Sequence, residues 1–117
     1  MSDFGLSFDC ALTFAEILER LNRLGPWTWR ERDSAWYGNI ASARTETVSL
    51  DLIESGPSEI PGGSVAAGNG QPFAISVRAG RKHPPDARAW AAIETRIREV
   101  VLPALGASRV QPTDPID

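Results

Sequence analysis

The sequence is poor in the residues from which most catalytic and metal sites are built. Its 117 residues include one cysteine, Cys10, and one histidine, His83. A single cysteine excludes an internal disulfide and any zinc site that needs several thiolates. A catalytic triad or a histidine metal site would depend on His83 alone, and we interpret it as an exposed residue of the basic connection 81–85. We therefore predict no catalytic residue, no bound metal and no cofactor.

Segments that would direct the chain to a membrane or an export pathway are not evident. No apolar run approaches the roughly 18 consecutive residues that a membrane-spanning helix requires. The first residues, Met1 to Phe4, show no basic segment leading into an apolar stretch of the kind found in secretory signals. We therefore expect a cytoplasmic protein that does not contact membranes.

Known nucleotide-binding motifs are missing as well. The stretch 62–70 is rich in glycine, and Gly63 and Gly68 have the spacing of a phosphate-binding loop. Asn69 and Gly70, however, occupy the positions where that loop needs lysine followed by serine or threonine. The glycine content alone therefore predicts no phosphate-binding loop.

Net charge argues against general binding to the phosphates of nucleic acids. The chain has 12 basic and 15 acidic side chains and a net charge of −3, whereas such binding depends on clustered positive charge. Every basic residue except Lys82 is arginine. We attribute this bias to genomic base composition, with recognition of carboxylate or phosphate as the alternative reading.

The clearest local pattern predicts a helix over 14–24. Thr13 and Glu16 have the capping-box spacing, in which each side chain accepts a backbone N–H of the other residue. An apolar stripe with helical spacing follows, and Gly25 with Pro26 ends it.

Alternating apolar and polar residues then predict four strands, at 27–32, 36–43, 47–53 and 73–79. A two-residue turn at 33–34 would place Arg30 opposite Tyr37 and Trp27 opposite Ile40 in the first two strands. The outer faces of the strands carry polar residues. This pattern is typical of an antiparallel sheet with one side in water.

The predicted fold is an α+β two-layer sandwich in the order αββββα. A second helix over 85–102, with Trp90 on its apolar stripe, completes that order. We expect both helices on one face of a four-stranded antiparallel sheet, because two apolar helix stripes match one apolar sheet face. Residues 1–106 are assigned to a single domain with a flexible Gly/Pro-rich loop at 54–72, and 107–117 to a disordered tail.

No pattern in the sequence identifies the function, and the leading hypothesis is a non-enzymatic protein-interaction or regulatory domain. It would bind another protein, of unknown identity, through the outer sheet face or through loop 54–72. Candidate contacts on the outer face are Arg30, Tyr37 and Arg78, because tyrosine and arginine are enriched at protein interfaces.

Two further hypotheses remain open. One is a small-molecule-binding protein or enzyme with a pocket under loop 54–72, for which Ser64, Asn69 and His83 are candidate ligand contacts. The other is nucleic-acid binding through the basic segment from Arg78 to Arg88, which also contains Arg81 and Lys82.

Overall fold

The described part of the chain contains six strands and two helical regions. The computed structural model describes residues 3–32, 39–54, 72–80 and 83–113. The strands are β1 (Phe4–Asp9), β2 (Arg30–Arg32), β3 (Asn39–Arg44), β4 (Val48–Glu54), β5 (Phe73–Ala79) and β6 (Ser108–Thr113). The helices are α1 (Phe14–Leu24), α2 (Ala87–Arg96), a π-helical continuation (Ile97–Val101) and α3 (Leu102–Ala104). The α+β class is confirmed.

All six strands pair antiparallel in one sheet, in the order β2-β3-β4-β5-β1-β6. The prediction of four strands in the order αββββα is therefore wrong, because β1 precedes the first helix and β6 follows the last. The sequence of β1 does alternate as a strand should. Its apolar residues Phe4, Leu6 and Phe8 share one face, with Gly5 and Ser7 on the other.

The last strand, Ser108–Thr113, lies within the segment 107–117 that was predicted to be a disordered tail, and the structure corrects that boundary. It pairs with β1, and the register shifts between Ser7 and Asp9. Near this irregularity Arg109 adopts φ 50° and donates its Nε–H to the Asp9 carboxylate. Because β6 has no apolar alternation, its position depends on pairing with β1.

The register between β2 and β3 also differs from the prediction. Arg30 lies opposite Ser42 rather than Tyr37, a shift of five residues, and Arg32 lies opposite Ile40. This register is incompatible with the predicted two-residue turn at 33–34, and the connection itself, 33–38, lies outside the described residues. Because five is an odd number, each side chain of β3 points to the sheet face opposite the one predicted.

One cluster of buried apolar residues includes members from the sheet and from both helical regions. On β4 its members alternate, at Val48, Leu50 and Leu52, and on β3 they are Ala41 and Ala43. The helical members are Phe14, Ile17, Leu21, Trp90, Ile97, Val101 and Leu102. Full burial of one large apolar side chain contributes about 1.5–3 kcal/mol relative to exposure. This cluster is the core of the fold.

Helix α1 begins and ends where the sequence predicts. The Thr13 hydroxyl accepts the N–H of Glu16 at 3.2 Å, and the Glu16 carboxylate accepts the N–H of Thr13 at 3.0 Å. Within the last turn of α1, the side chain of Asn22 accepts the N–H of Trp29 at 2.7 Å and donates to the carbonyl of Trp29 at 3.1 Å. Because the side chain of Asn22 hydrogen-bonds to both the N–H and the carbonyl of Trp29, this residue is not available for strand pairing, and β2 begins at Arg30.

Two arginines join the helical regions by binding backbone carbonyls at the ends of the opposite region. Arg20 of α1 donates to the carbonyl of Ala104 at 3.0 Å, and Arg96 of α2 donates to the carbonyl of Gly25 at 3.1 Å. Terminal carbonyls of a helix lack partners within the helix, and a cation there also complements the helix dipole. The two contacts therefore fix α1 against the second helical region.

The capping box makes part of the stability depend on pH. Hydrogen bonds from the backbone and hydroxyl of Thr13 hold the pKa of the Glu16 carboxyl below its ordinary value. A carboxyl with a lowered pKa in the folded state stabilises the fold above its ordinary pKa and loses that contribution as pH falls through the lowered value. In Glu16→Gln the amide still accepts the hydrogen bond but does not titrate. We expect the wild type to exceed this variant in unfolding free energy at neutral pH, with the difference vanishing in acid. Urea unfolding across pH measures it, and a pH-independent difference would contradict this account.

The pairing of β6 predicts that the C-terminal segment contributes to stability. Ending the chain after Ala107 removes the ladder hydrogen bonds between β6 and β1, each with a net value of about 0.5–1.5 kcal/mol. We expect the free energy of unfolding to fall by about 2–4 kcal/mol. The matched control ends the chain after Thr113 and keeps β6. Equal stability of the two truncated proteins in urea would show that β6 contributes nothing.

Candidate functional site

Four arginines from three strands project from the sheet face opposite the core cluster. Alternation along β2 places Arg30 and Arg32 on this face, and cross-strand pairing places Arg44 in one row with Ser49 and Arg78. We call Arg30, Arg32, Arg44 and Arg78 the arginine face. The chain as a whole is acidic, so this local excess of positive charge is not visible in its composition.

A buried aspartate lies at the centre of the arginine face. Asp51 is only 3% exposed. One of its oxygens accepts the hydroxyl of Ser42 at 2.5 Å, and the other accepts Nη2 of Arg78 at 3.4 Å. A third contact comes from Nη1 of Arg32 at 3.7 Å, which also donates to the Ser42 hydroxyl at 3.1 Å. Because burying an unpaired carboxylate is costly, these contacts determine where Ser42 and the two arginines lie.

The guanidinium groups of the arginine face keep much of their hydrogen-bonding capacity unused. Charge-assisted hydrogen bonds usually measure about 2.7–2.9 Å, whereas Arg78 and Arg32 approach Asp51 at 3.4 and 3.7 Å. The Nε of Arg78 is buried and has no hydrogen-bond partner among the described residues. Within the same part of the chain, Arg30 and Arg44 have no ion-pair partner.

A depression of about 480 Å³ opens between β2 and β3 on the arginine face. Its lining combines three guanidinium groups with two hydroxyls, from Thr28, Arg30, Arg32, Ser42 and Arg44. We call it the β2–β3 pocket. Its donors are suited to holding an anion.

The remainder of this sheet face is buried, which corrects the expectation that the outer face lies in water. Ile53, Ala74 and Ser76 are each at most 1% exposed, and Ile40 is 6% exposed. The sequence-based expectation depended on Ser49, Asp51 and Arg78, whereas Ile40, Ile53 and Ala74 are apolar residues of the same face. The exposed part is therefore the arginine end.

The opposite side of β2 carries charge of the other sign. Glu31, between Arg30 and Arg32 in sequence, points to the face opposite the arginines. There it lines a depression of about 680 Å³ together with Glu19 and Glu54. Alternation along a three-residue strand therefore separates the positive and negative side chains onto opposite faces of the sheet.

The structure describes some of the predicted site residues and leaves others outside its described ranges. Arg30 and Arg78 do lie on the same sheet face, whereas Tyr37 lies outside the described residues. Among the predicted ligand contacts, Ser64 and Asn69 also lie outside them, as do most of loop 54–72 and the basic residues Arg81 and Lys82. His83 is exposed in the connection before α2, and Arg88 is exposed on α2.

Sequence patterns alone do not identify the residues that organise the site. Arg32 alternates with Arg30, so its face was already visible, but Arg44 lay beyond the end of the predicted second strand. Ser42 meets Asp51 only in the observed β3–β4 register. Asp51 lies at a polar position of the predicted outer face, and a strand pattern alone does not show which polar position is buried.

The described ranges contain no group of three histidine, cysteine or acidic side chains that could hold a metal ion. Among the described helices, none is both long and apolar enough to cross a membrane.

The chain matches no protein-family model, no curated protein and no solved structure with which it was compared.

Asp51 should contribute more to stability than an exposed carboxylate. In Asp51→Asn the shape is kept, but Arg32 and Arg78 lose their shared counter-charge, so we expect a loss of about 1–3 kcal/mol. The control is Glu94→Gln in the exposed pair between Glu94 and Arg98, which should cost less than about 1 kcal/mol. Urea unfolding compares the two variants. Equal losses would contradict the organising role of Asp51.

Proposed function

We propose that the protein is a non-enzymatic interaction domain that binds an acidic segment of another protein through the arginine face. The observation that carries the proposal is the grouping of four arginines around one buried aspartate in an otherwise acidic chain. Asp51 neutralises part of this charge, and its contacts are with Arg32 and Arg78. Arg30 and Arg44, which have no ion pair within the described residues, are left to meet a partner.

The chemistry of the side chains favours a carboxylate-bearing partner. A guanidinium group is planar and always charged, and its paired N–H groups match the two oxygens of a carboxylate. Arginine is also enriched at protein interfaces, where it often contributes strongly to binding. A partner that binds the exposed arginine end would remove little water from Asp51, because this carboxylate is already buried.

Binding through the face is favoured over extension of the sheet at its edges. The edge strand β2 has three residues, all charged, and the opposite edge strand β6 contains Pro112 and the left-handed Arg109. Short charged strands, proline and local irregularity all oppose the addition of another strand.

The proposal includes two expectations from the sequence. It takes both helices to cover the sheet face opposite the arginines, which the membership of both helical regions in one core cluster supports. It also places the protein and its partner in the cytoplasm.

Nucleic-acid binding is the alternative that the same charges leave open. The net charge of −3 disfavours it. In addition, Arg78 lies in the sheet and Arg88 on α2, so the segment that suggested this function is divided between two elements. An oligonucleotide therefore belongs in the test as a competing ligand.

Fluorescence anisotropy with a labelled peptide of alternating glutamate and glycine tests the proposal. We expect binding that weakens as salt is raised, and that is at least about fivefold weaker in the variant Arg30→Gln/Arg44→Gln, because two exposed charge pairs are lost. The matched control, Arg88→Gln/Arg98→Gln, makes the same change of charge on the second helical region. It should bind as the wild type does.

Two results would overturn the proposal. One is an equal loss of affinity in both double variants, which would mean that only net charge matters. The other is tighter binding to a single-stranded oligonucleotide of equal charge than to the glutamate peptide. A glutamine–glycine peptide, which should not bind, controls for attraction to the backbone or label.

A further inference from the structure

We propose that the β2–β3 pocket binds the phosphate group of a phosphorylated residue in the acidic segment, so that phosphorylation of the partner controls binding. This inference rests on the proposed function and specifies the anionic group that the arginine face is best suited to bind. The shared ligand is a phosphate monoester, and a phosphorylated protein segment is the source to which the proposal commits.

The register brings three arginines around one point of the sheet. Arg30 lies opposite Ser42, and Arg44 is two residues beyond Ser42 on the same face, a diagonal neighbour of Arg30. Diagonal neighbours lie about 7–8 Å apart, within reach of long side chains. Arg32 follows Arg30 by two residues, about 7 Å along the strand. Three flexible guanidinium groups can therefore meet one compact anion.

The donors in the pocket suit phosphate better than carboxylate. A phosphate monoester offers three acceptor oxygens and a charge between about −1.5 and −2 at neutral pH, whereas a carboxylate offers two oxygens and a single charge. Each arginine presents five N–H donors. Among the N–H donors of the pocket arginines, Nη1 of Arg32 donates a hydrogen bond to the hydroxyl of Ser42. Clusters of arginine with hydroxyl side chains are a recurring way to recognise phosphorylated segments.

The carboxylates near the pocket compensate its positive charge only in part. Among the described residues none of them forms an ion pair with Arg30 or Arg44, although Asp3 lines a neighbouring depression beside Arg44. Within the described ranges Asp51 is the carboxylate that forms an ion pair with Arg32, at 3.7 Å, and it also pairs with Arg78. Glu31 belongs to the same strand as Arg30 and Arg32 but lines the depression on the other face of the sheet. The lining of the β2–β3 pocket itself includes no carboxylate among the described residues.

Three versions of one acidic peptide test the inference, with serine, glutamate or phosphoserine at the same central position. We expect the phosphoserine peptide to bind at least about tenfold more tightly than the serine peptide, and more tightly than the glutamate peptide. The second pKa of the phosphate is about 6, so its advantage over glutamate should shrink as pH falls from neutral to mildly acidic. Inorganic phosphate should compete with the phosphoserine peptide.

Variants locate the phosphate. Arg30→Gln and Arg44→Gln should each remove most of the phosphoserine advantage, and neither breaks an ion pair among the described residues, so urea unfolding should remain close to that of the wild type. Arg30→Lys keeps the charge but not the two-pronged donor, and should recover only part of the advantage. Arg88→Gln, on α2, should retain it fully.

The outcomes separate this inference from the proposed function. If the glutamate and phosphoserine peptides bind equally, the phosphate site is overturned while the acidic-segment function stands. If none of the three peptides binds, both fail. A phosphoserine advantage that persists in both Arg30→Gln and Arg44→Gln would place the phosphate elsewhere and overturn the assignment. Tighter binding to vesicles containing a phosphorylated inositol lipid than to the phosphoserine peptide would also overturn it, in favour of a membrane ligand.

Discussion

The buried carboxylate of Asp51 is the constraint on which the arrangement of the sheet depends. It lies in the middle of β4, between the apolar residues Leu50 and Leu52, which face the core. A slip of one residue in the β4 pairing would turn this carboxylate into the apolar core and turn both leucines away from it. Such a slip would bury a charge without partners, so it is strongly disfavoured. Asp51 therefore selects the register of β4 as well as orienting Ser42, Arg32 and Arg78.

The net charge of the chain and the charge of its arginine face predict different ligands. The net charge of −3 describes no particular surface, because the sheet sorts its charged side chains by face. Along β2, two arginines point to one side and Glu31 points to the other. A ligand that approaches the arginine end meets guanidinium groups, while one that approaches the depression beside Glu31 meets three glutamates. Recognition of an anion is therefore compatible with an acidic chain.

The parts of the fold that could be predicted are those whose signals are local. The capping box at Thr13 and the apolar stripe after it define α1 without any tertiary contact, and β4 and β5 alternate clearly. The sequence of β1 alternates as well, but over only six residues at the start of the chain, whereas β6 has no such pattern. Arg30 and Arg78 could be assigned to an outer face, but their grouping with Arg44 around Asp51 depends on the registers between β2, β3 and β4, which no local pattern determines.

The place of β1 in the sheet has a consequence for how the chain folds. The first strand lies between β5 and β6, so its two partners are about 70 and 100 residues away along the chain. During synthesis β2, β3 and β4 can pair with close neighbours, but β1 must wait until β5 has emerged. Such pairing of distant segments raises the contact order and slows folding, since a long loop must close before any contact forms. Until then the apolar side of β1, with Phe4, Leu6 and Phe8, has no strand to pair with, and the nascent chain exposes it to aggregation.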